Sequence, residues 1–185
     1  MLSWMKNQIS TYAASAPYGV FITATMLLAA VALILLALQL AWVGPLRRFL
    51  LAQLASLALG AAAVGLAVLA YWKERARSLA ALRSAPFADI RQQTFHDAGL
   101  LIFFDSISIG LLLVGVLLLV TGPGFRRRLA GLAVMLSGPL AAAALGSRAL
   151  AWGVGLGQRI AFAIFTLGTI WVLLVLRSAT HDLEA

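Results

Sequence analysis

A few polar side chains in an otherwise apolar chain are the candidates for chemistry. Asp105 lies inside the apolar run TFHDAGLLIFFDSISIGLLLVGVLLLV, residues 94–120. A carboxylate within a membrane span is costly and marks a functional site by default. It predicts a proton- or cation-binding group, or the anchor of a ligand pocket. The structural alternative is an ion pair with Arg148 or Arg159, or hydrogen bonds to nearby serines or a neighbouring span.

Arg148 and Arg159 flank the last connection, on the same side of the predicted bundle as Asp105. Two guanidinium groups near an aqueous mouth are suited to hold a phosphate or a carboxylate, for example a lipid headgroup. The alternative is that both side chains only anchor their spans at the interface. With Asp105 and His96, they form a predicted polar cluster in the outer half of the bundle.

His96 and Asp97 lie at the start of the same apolar run. His96 is a group that titrates, binds a metal or serves as a polar anchor at the interface. The pattern Thr94-x-x-Asp97 has the form of a capping box, so we expect a helix to begin there, with Asp97 explained by the cap. The second histidine, His181, is in the tail on the opposite side. The chain has no cysteine, and we therefore predict neither a metal site nor a cofactor.

The composition is that of a membrane protein. Hydrophobic residues make up 63% of the 185 residues, charged residues 11%, and the mean hydropathy is +1.00. A soluble domain is about 45–50% apolar and about 25% charged. The net charge of +8 does not indicate nucleic-acid binding, because the basic residues lie at the ends of apolar runs, where they contact lipid headgroups.

Five apolar runs have about the length needed to cross a bilayer. We therefore predict an all-α integral membrane protein, a single domain built as a bundle of five transmembrane helices. The predicted spans are 19–43, 49–72, 95–120, 129–146 and 158–177, and the longest connection is 73–94.

Small residues four apart are typical of surfaces where membrane helices pack closely. They occur in Ser56-x-x-x-Gly60 and Ala61-x-x-x-Gly65, and again at Ala133, Ser137 and Ala141. The expected partners are the lipid bilayer and other membrane proteins bound through these faces. Gly138-Pro139 predicts a kink, and Gly153, Gly155 and Gly157 predict a flexible connection.

Five spans place the two termini on opposite sides of the membrane. Six arginines on one side lie close to span ends, whereas the eight basic residues of the other side are spread along longer segments. Because the positive-inside bias counts residues next to the membrane, we predict an outside N-terminus and a cytoplasmic C-terminus in the plasma (inner) membrane.

Three stretches together resemble a prokaryotic membrane family called domain of unknown function nine-nine-eight. They are NQISTYAASAPYG, APFADIRQQTFHDAGLLIFF and GLGQRIAFAIFTLGTIWVLLVLR. The resemblance implies six spans with both termini cytoplasmic, of which this sequence would hold the last five, so it agrees with the predicted orientation. Pro86 precedes Phe87 here, whereas the family pattern has Phe before Pro. The resemblance implies no activity or catalytic residue.

The leading functional hypothesis is a non-enzymatic membrane protein, acting as an accessory or packing subunit or as a lipid-facing binding protein. The alternative is a small transporter or membrane enzyme that uses the predicted polar cluster of Asp105, Arg148, Arg159, His96 and Asp97.

Overall fold

A computed structural model describes residues 19–42, 49–72, 87–121, 125–146 and 154–184; in 87–89, 126, 145–146, 154–156 and 176–184 it describes the backbone alone. The described residues form five helices and no strand, which confirms the all-α prediction. The helices are α1 (Gly19–Trp42), α2 (Leu50–Tyr71), α3 (Phe87–Thr121), α4 (Phe125–Gly146) and α5 (Val154–Glu184).

Among the residues that the structure describes, four helical segments are long and apolar enough to cross a membrane. They are Gly19–Trp42, Leu50–Tyr71, Ile90–Thr121 and Gly157–Val175. At about 1.5 Å per residue, the shortest of them, with 19 residues, is about as long as the ~30 Å hydrocarbon layer is thick. The protein is therefore membrane-embedded, and α4 is the one predicted span outside this set.

Helices that follow each other in the chain pack against each other, and α3 is central because it contacts α2, α4 and, less extensively, α5. The α1–α2 pair is antiparallel, because the later residue of α2 meets the earlier residue of α1. The Ser56 hydroxyl donates to the Ala37 carbonyl at 2.8 Å, and the Gln53 side-chain amide donates to the Ala41 carbonyl at 3.1 Å. In a span without water, such bonds are the polar contribution to helix association.

Glycines bring the backbones of the central helices together. A Cβ atom at Gly65 would lie 2.5 Å from the Phe103 backbone nitrogen, and one at Gly115 would lie 2.5 Å from the Met135 nitrogen. Any larger side chain is excluded at these α2–α3 and α3–α4 crossings. The small-residue prediction is therefore confirmed at Gly65, whereas a Cβ at Gly60 would meet nothing within 4 Å.

In α4 the small-residue prediction is likewise confirmed at some positions only. Ser137 and Ala141 are buried, but Ala133 is exposed. Pro139 lies inside α4, which runs on to Gly146. The kink at Gly138-Pro139 stays a prediction.

The structure corrects two predicted helix boundaries. Thr94 does not cap α3, which begins at Phe87; its hydroxyl donates instead to the Ile90 carbonyl four residues earlier, at 2.9 Å. The polar residues before Thr94 include good helix formers such as arginine and glutamine, so the helix begins before the apolar run. Likewise Gly155 and Gly157 belong to α5 rather than to a flexible connection, because the helix they open is stabilised by packing further along. Gly153 lies outside the described residues.

Candidate functional site

The candidate site residues are distributed around α3, which has a packed face and an outward face. The packed face carries buried Gly99, Phe103 and Leu111 toward the other helices. The outward face carries Leu101, 60% exposed, and Ile109, 52% exposed. Since successive helical residues are about 100° apart, this division decides which polar side chains can meet.

Asp105 lies on the outward face, where it is exposed. Within the described part of the chain it makes no hydrogen bond and no ion pair with a neighbouring side chain. The nearby Ser108 hydroxyl donates to the Phe104 carbonyl at 2.7 Å rather than to the carboxylate. The serine alternative is therefore not realised at Ser108.

His96 lies on the opposite face of α3 and is only 1% exposed. Its Nδ1 atom is 2.9 Å from the carbonyl oxygen of Trp72, the residue that follows α2. A carbonyl can only accept, so Nδ1 carries the proton and donates it. The Nε2 atom is buried and has no hydrogen-bond partner among the described residues. The ring joins α3 to the end of α2 as a structural contact.

Asp97 neighbours His96 in sequence but is exposed. Its Oδ1 accepts a hydrogen bond of 2.8 Å from the Gln93 side-chain amide, one turn earlier on the same helix. Around them, Trp72 stacks on Phe95 with ring centroids 4.9 Å apart, and the Arg91 guanidinium lies 5.8 Å from the Trp72 ring centroid. Aromatic and basic side chains of this kind mark the membrane–water boundary.

The two candidate arginines have different outcomes. Arg159 is half-buried in the second turn of α5 and already interacts with another residue of the protein. Arg148 lies outside the described residues, so its pairing with Asp105 stays a prediction. His96 and Asp105 are nine residues apart, which is about 180° around a helix at 100° per residue. The described geometry therefore does not bring them together.

Two cavities of about 220 Å³ each are lined by described residues, and neither includes a candidate site residue. One lies between α1 and α5 over the Phe103 and Phe165 rings. The other lies between α4 and α5, beside Ser137 and Trp171. Apolar cavities of this kind accept hydrocarbon, whereas catalysis needs several polar groups that converge on one point.

No metal site is apparent in the segments that the structure describes, because they contain no group of three histidine, cysteine, aspartate or glutamate side chains suited to hold an ion. A single histidine nitrogen is too few ligands for a transition metal, which takes three or four protein ligands.

A family model for a protein of unknown function, DUF998, matches residues 1–178. The chain belongs to the DUF998 family. This confirms the resemblance seen in the three sequence stretches. No curated protein and no solved structure matches the chain.

Sequence reasoning missed one feature of this DUF998 protein, an aromatic cluster between α3 and α5. Phe103 stacks on Phe162 with centroids 5.2 Å apart, and Phe104 lies 5.8 Å from Phe165. The available signal is the spacing, since Phe162 and Phe165 are three residues apart and share a helix face. Spacing alone does not distinguish these rings from the other apolar residues of their spans.

Proposed function

We propose that this protein is a non-catalytic accessory subunit that binds another membrane protein through the outward face of α3. The observation that carries the proposal is Asp105, an exposed carboxylate on an apolar surface at membrane depth. Lipid cannot pair with it there, whereas a partner helix can.

The depth of Asp105 follows from the sequence of α3. The apolar stretch begins at Ala98, and seven residues at about 1.5 Å each place Asp105 about 10 Å below that point. A carboxylate at the centre of a span costs about 2.5–3.5 kcal/mol, and somewhat less at this depth. An aspartate side chain is too short to reach the interface as lysine or arginine does. A cost of this size is offset when another protein supplies a hydrogen-bonding group.

The chemistry of the partner follows from the surface around the carboxylate. Leu101, Ile102, Ile109 and Leu112 are all exposed on this side of α3, so the surface fits an apolar helix. Asp105 calls for a lysine, an arginine or another donor at the same depth in that helix. A second copy docked symmetrically on this face would instead place two carboxylates opposite each other, which is unfavourable.

The same proposal includes five membrane crossings. Residues 129–146, in α4, contain no charged side chain, and α4 lies antiparallel to α3, since Gly115 meets Met135 and Ser108 meets Gly138. With α4 as the fifth crossing, the termini lie on opposite sides, and the arginine distribution favours an outside N-terminus in the plasma (inner) membrane. Because the chain lacks cysteine, single cysteines placed at helix ends and labelled from outside the cell test this topology directly.

Photo-crosslinking tests the proposed interface. A photoreactive residue at Leu101 and a matched one at Leu57, which is 71% exposed on α2, are introduced into otherwise unchanged chains. We expect Leu101 to crosslink to a membrane helix with a lysine or arginine, identified by peptide mass spectrometry, and Leu57 to crosslink to lipid. Asp105→Asn should reduce the Leu101 crosslink about tenfold, the ratio that corresponds to about 1.4 kcal/mol, and Asp97→Asn should leave it unchanged.

Two results would overturn the proposal. The first is a crosslink that persists in Asp105→Leu at wild-type yield. The second is efficient disulfide formation in membranes between two Leu101→Cys chains, which keep Asp105; this would identify a second copy as the occupant. Loss of substrate uptake or of an enzymatic activity in Asp105→Asn, with the crosslink intact, would support the transporter or membrane-enzyme alternative instead.

A further inference from the structure

We infer that the groove between α1 and α5 binds an acyl chain of an anionic phospholipid, with Arg159 contacting the lipid phosphate. The inference is independent of the Asp105 interface, because the groove contacts the packed face of α3, through Phe103, and not the outward face that carries Asp105.

The lining of this groove, about 220 Å³ in volume, is hydrocarbon. Ala29 and Leu33 of α1 form one wall, Ile170 of α5 forms the other, and Phe103 and Phe165 form the floor. The small side chain of Ala29 leaves the space that a larger residue on α1 would fill.

The two threonines that line the groove offer no free donor to a ligand. The Thr166 hydroxyl donates to the Phe162 carbonyl and the Thr169 hydroxyl to the Phe165 carbonyl, both at 2.8 Å. A hydroxyl whose proton is used within its own helix presents mainly its methyl group and carbon atoms. The groove is therefore suited to an apolar ligand and selects against a polar one.

The size of the groove favours an acyl chain over a protein helix. An apolar cavity of about 150 Å³ is enough to bind benzene, so this groove accommodates a length of hydrocarbon chain. A helix with side chains is about 10–12 Å across and needs far more room. Both walls belong to segments that span the membrane, so a lipid chain reaches the groove from the bilayer without crossing water.

The headgroup preference follows from Arg159. It precedes Thr166 by seven residues, or about 700°, so both lie within about 20° on the same side of α5. Arg159 is therefore about 10 Å from Thr166 along the helix axis, toward the end of the bundle where α5 begins. A guanidinium is permanently charged, so Arg159, which also interacts with another residue of the protein, attracts the phosphate of an anionic lipid.

Native mass spectrometry of the full chain tests this site, with the protein exchanged into equal mixtures of phosphatidylglycerol and phosphatidylcholine that have the same acyl chains. We expect the wild type to retain one lipid with a preference for phosphatidylglycerol of about five- to tenfold. Both lipids offer a phosphate, but only phosphatidylglycerol has a net negative charge, whereas the choline ammonium of phosphatidylcholine repels the Arg159 guanidinium. Ala32→Trp fills the groove and should abolish retention. Its control is Ala143→Trp, at an exposed alanine of α4 outside both cavities.

Arg159→Gln separates the two parts of the site. It should keep a bound lipid but lose the preference between headgroups, while Arg128→Gln, at an exposed arginine of α4, should keep both. Circular dichroism and gel filtration identify any variant that fails to fold, and Thr169→Phe then replaces Ala32→Trp as the groove-filling change. Equal lipid retention in the folded groove-filling and Ala143→Trp variants overturns the site, and an unchanged preference in Arg159→Gln overturns the headgroup contact.

Discussion

The two faces of α3 differ in what they contact. The packed face places Gly99 and Gly115 where neighbouring backbones approach most closely, and it buries His96 with a hydrogen bond to the end of α2. On the outward face, Asp105 is exposed and lies among exposed leucine and isoleucine side chains. The first face makes close contacts within the chain, and the second carries a carboxylate that no described residue pairs.

The difference is informative because lipid changes the usual energetic argument. Between membrane helices there is little hydrophobic driving force, since lipid tails are as apolar as leucine. Association depends on close van der Waals contact and on a few hydrogen bonds. Apolar exposure on the outward face therefore needs no explanation in a bilayer, whereas the exposed Asp105 does.

The largest expected effect comes from breaking the packed face. Gly115→Leu puts a side chain where a Cβ atom would already lie 2.5 Å from the Met135 nitrogen. We expect the free energy of unfolding to fall by about 3 kcal/mol or more, because backbone rather than a flexible side chain must move. The measurement is unfolding in mixed micelles followed by circular dichroism.

The matched control for this change is Gly60→Leu, at a helical glycine where an added Cβ atom would meet nothing within 4 Å. It should leave stability within about 0.5 kcal/mol, or raise it slightly because leucine is the better helix former. If Gly115→Leu and Gly60→Leu unfold at the same proportion of denaturing detergent in the micelles, the helix backbones at the α3–α4 crossing are farther apart than in this structure.

A smaller effect is expected from a change on the packed face near the start of the apolar run of α3. His96→Leu removes the Nδ1–H donor and leaves the Trp72 carbonyl without it. Losing a buried hydrogen bond in this way costs about 1–3 kcal/mol. The adjacent exposed Asp97 is the control: Asp97→Leu loses only a surface contact with Gln93.

The same unfolding experiment compares the free energies of unfolding of His96→Leu and Asp97→Leu. A His96→Leu variant as stable as Asp97→Leu would show that the histidine contributes nothing to the α2–α3 junction. Recovery of stability in His96→Asn, whose amide can donate to a carbonyl, would identify the hydrogen bond rather than the ring as the stabilising feature.

Much of the helical framework was predictable because lipid imposes a length. The apolar runs predict α1 and α2 to within a residue or two, since their ends coincide with Trp42 and Tyr71. The predicted start of α3 was wrong, because the sequence before Thr94 is polar and hydropathy does not distinguish a helix outside the membrane from a connection. A helix boundary in water is decided by backbone propensity and packing instead.

Candidate residues could be chosen from the sequence, but their arrangement in space could not. Asp105 stood out because its chemistry conflicts with its surroundings, and that conflict persists in the fold. The burial of His96 and the α3–α5 aromatic cluster depend on how helices rotate against each other, which spacing within one helix does not determine. Gly60 and Gly65 illustrate the limit, since their sequence contexts are alike and only Gly65 is in close contact.

The smallest expected effect on stability is also the one that separates the two faces most clearly. Asp105→Leu should change the free energy of unfolding of the isolated protein by less than about 0.5 kcal/mol in detergent, because the side chain has no described partner to lose. If the carboxylate instead holds the bundle together through Arg148, the same variant should lose about 3–5 kcal/mol, the cost of leaving a buried charge unpaired. Asp105→Asn distinguishes packing from charge, since it has nearly the same shape. A stable Asp105→Leu protein that no longer crosslinks from Leu101 is the result that assigns this face to a partner.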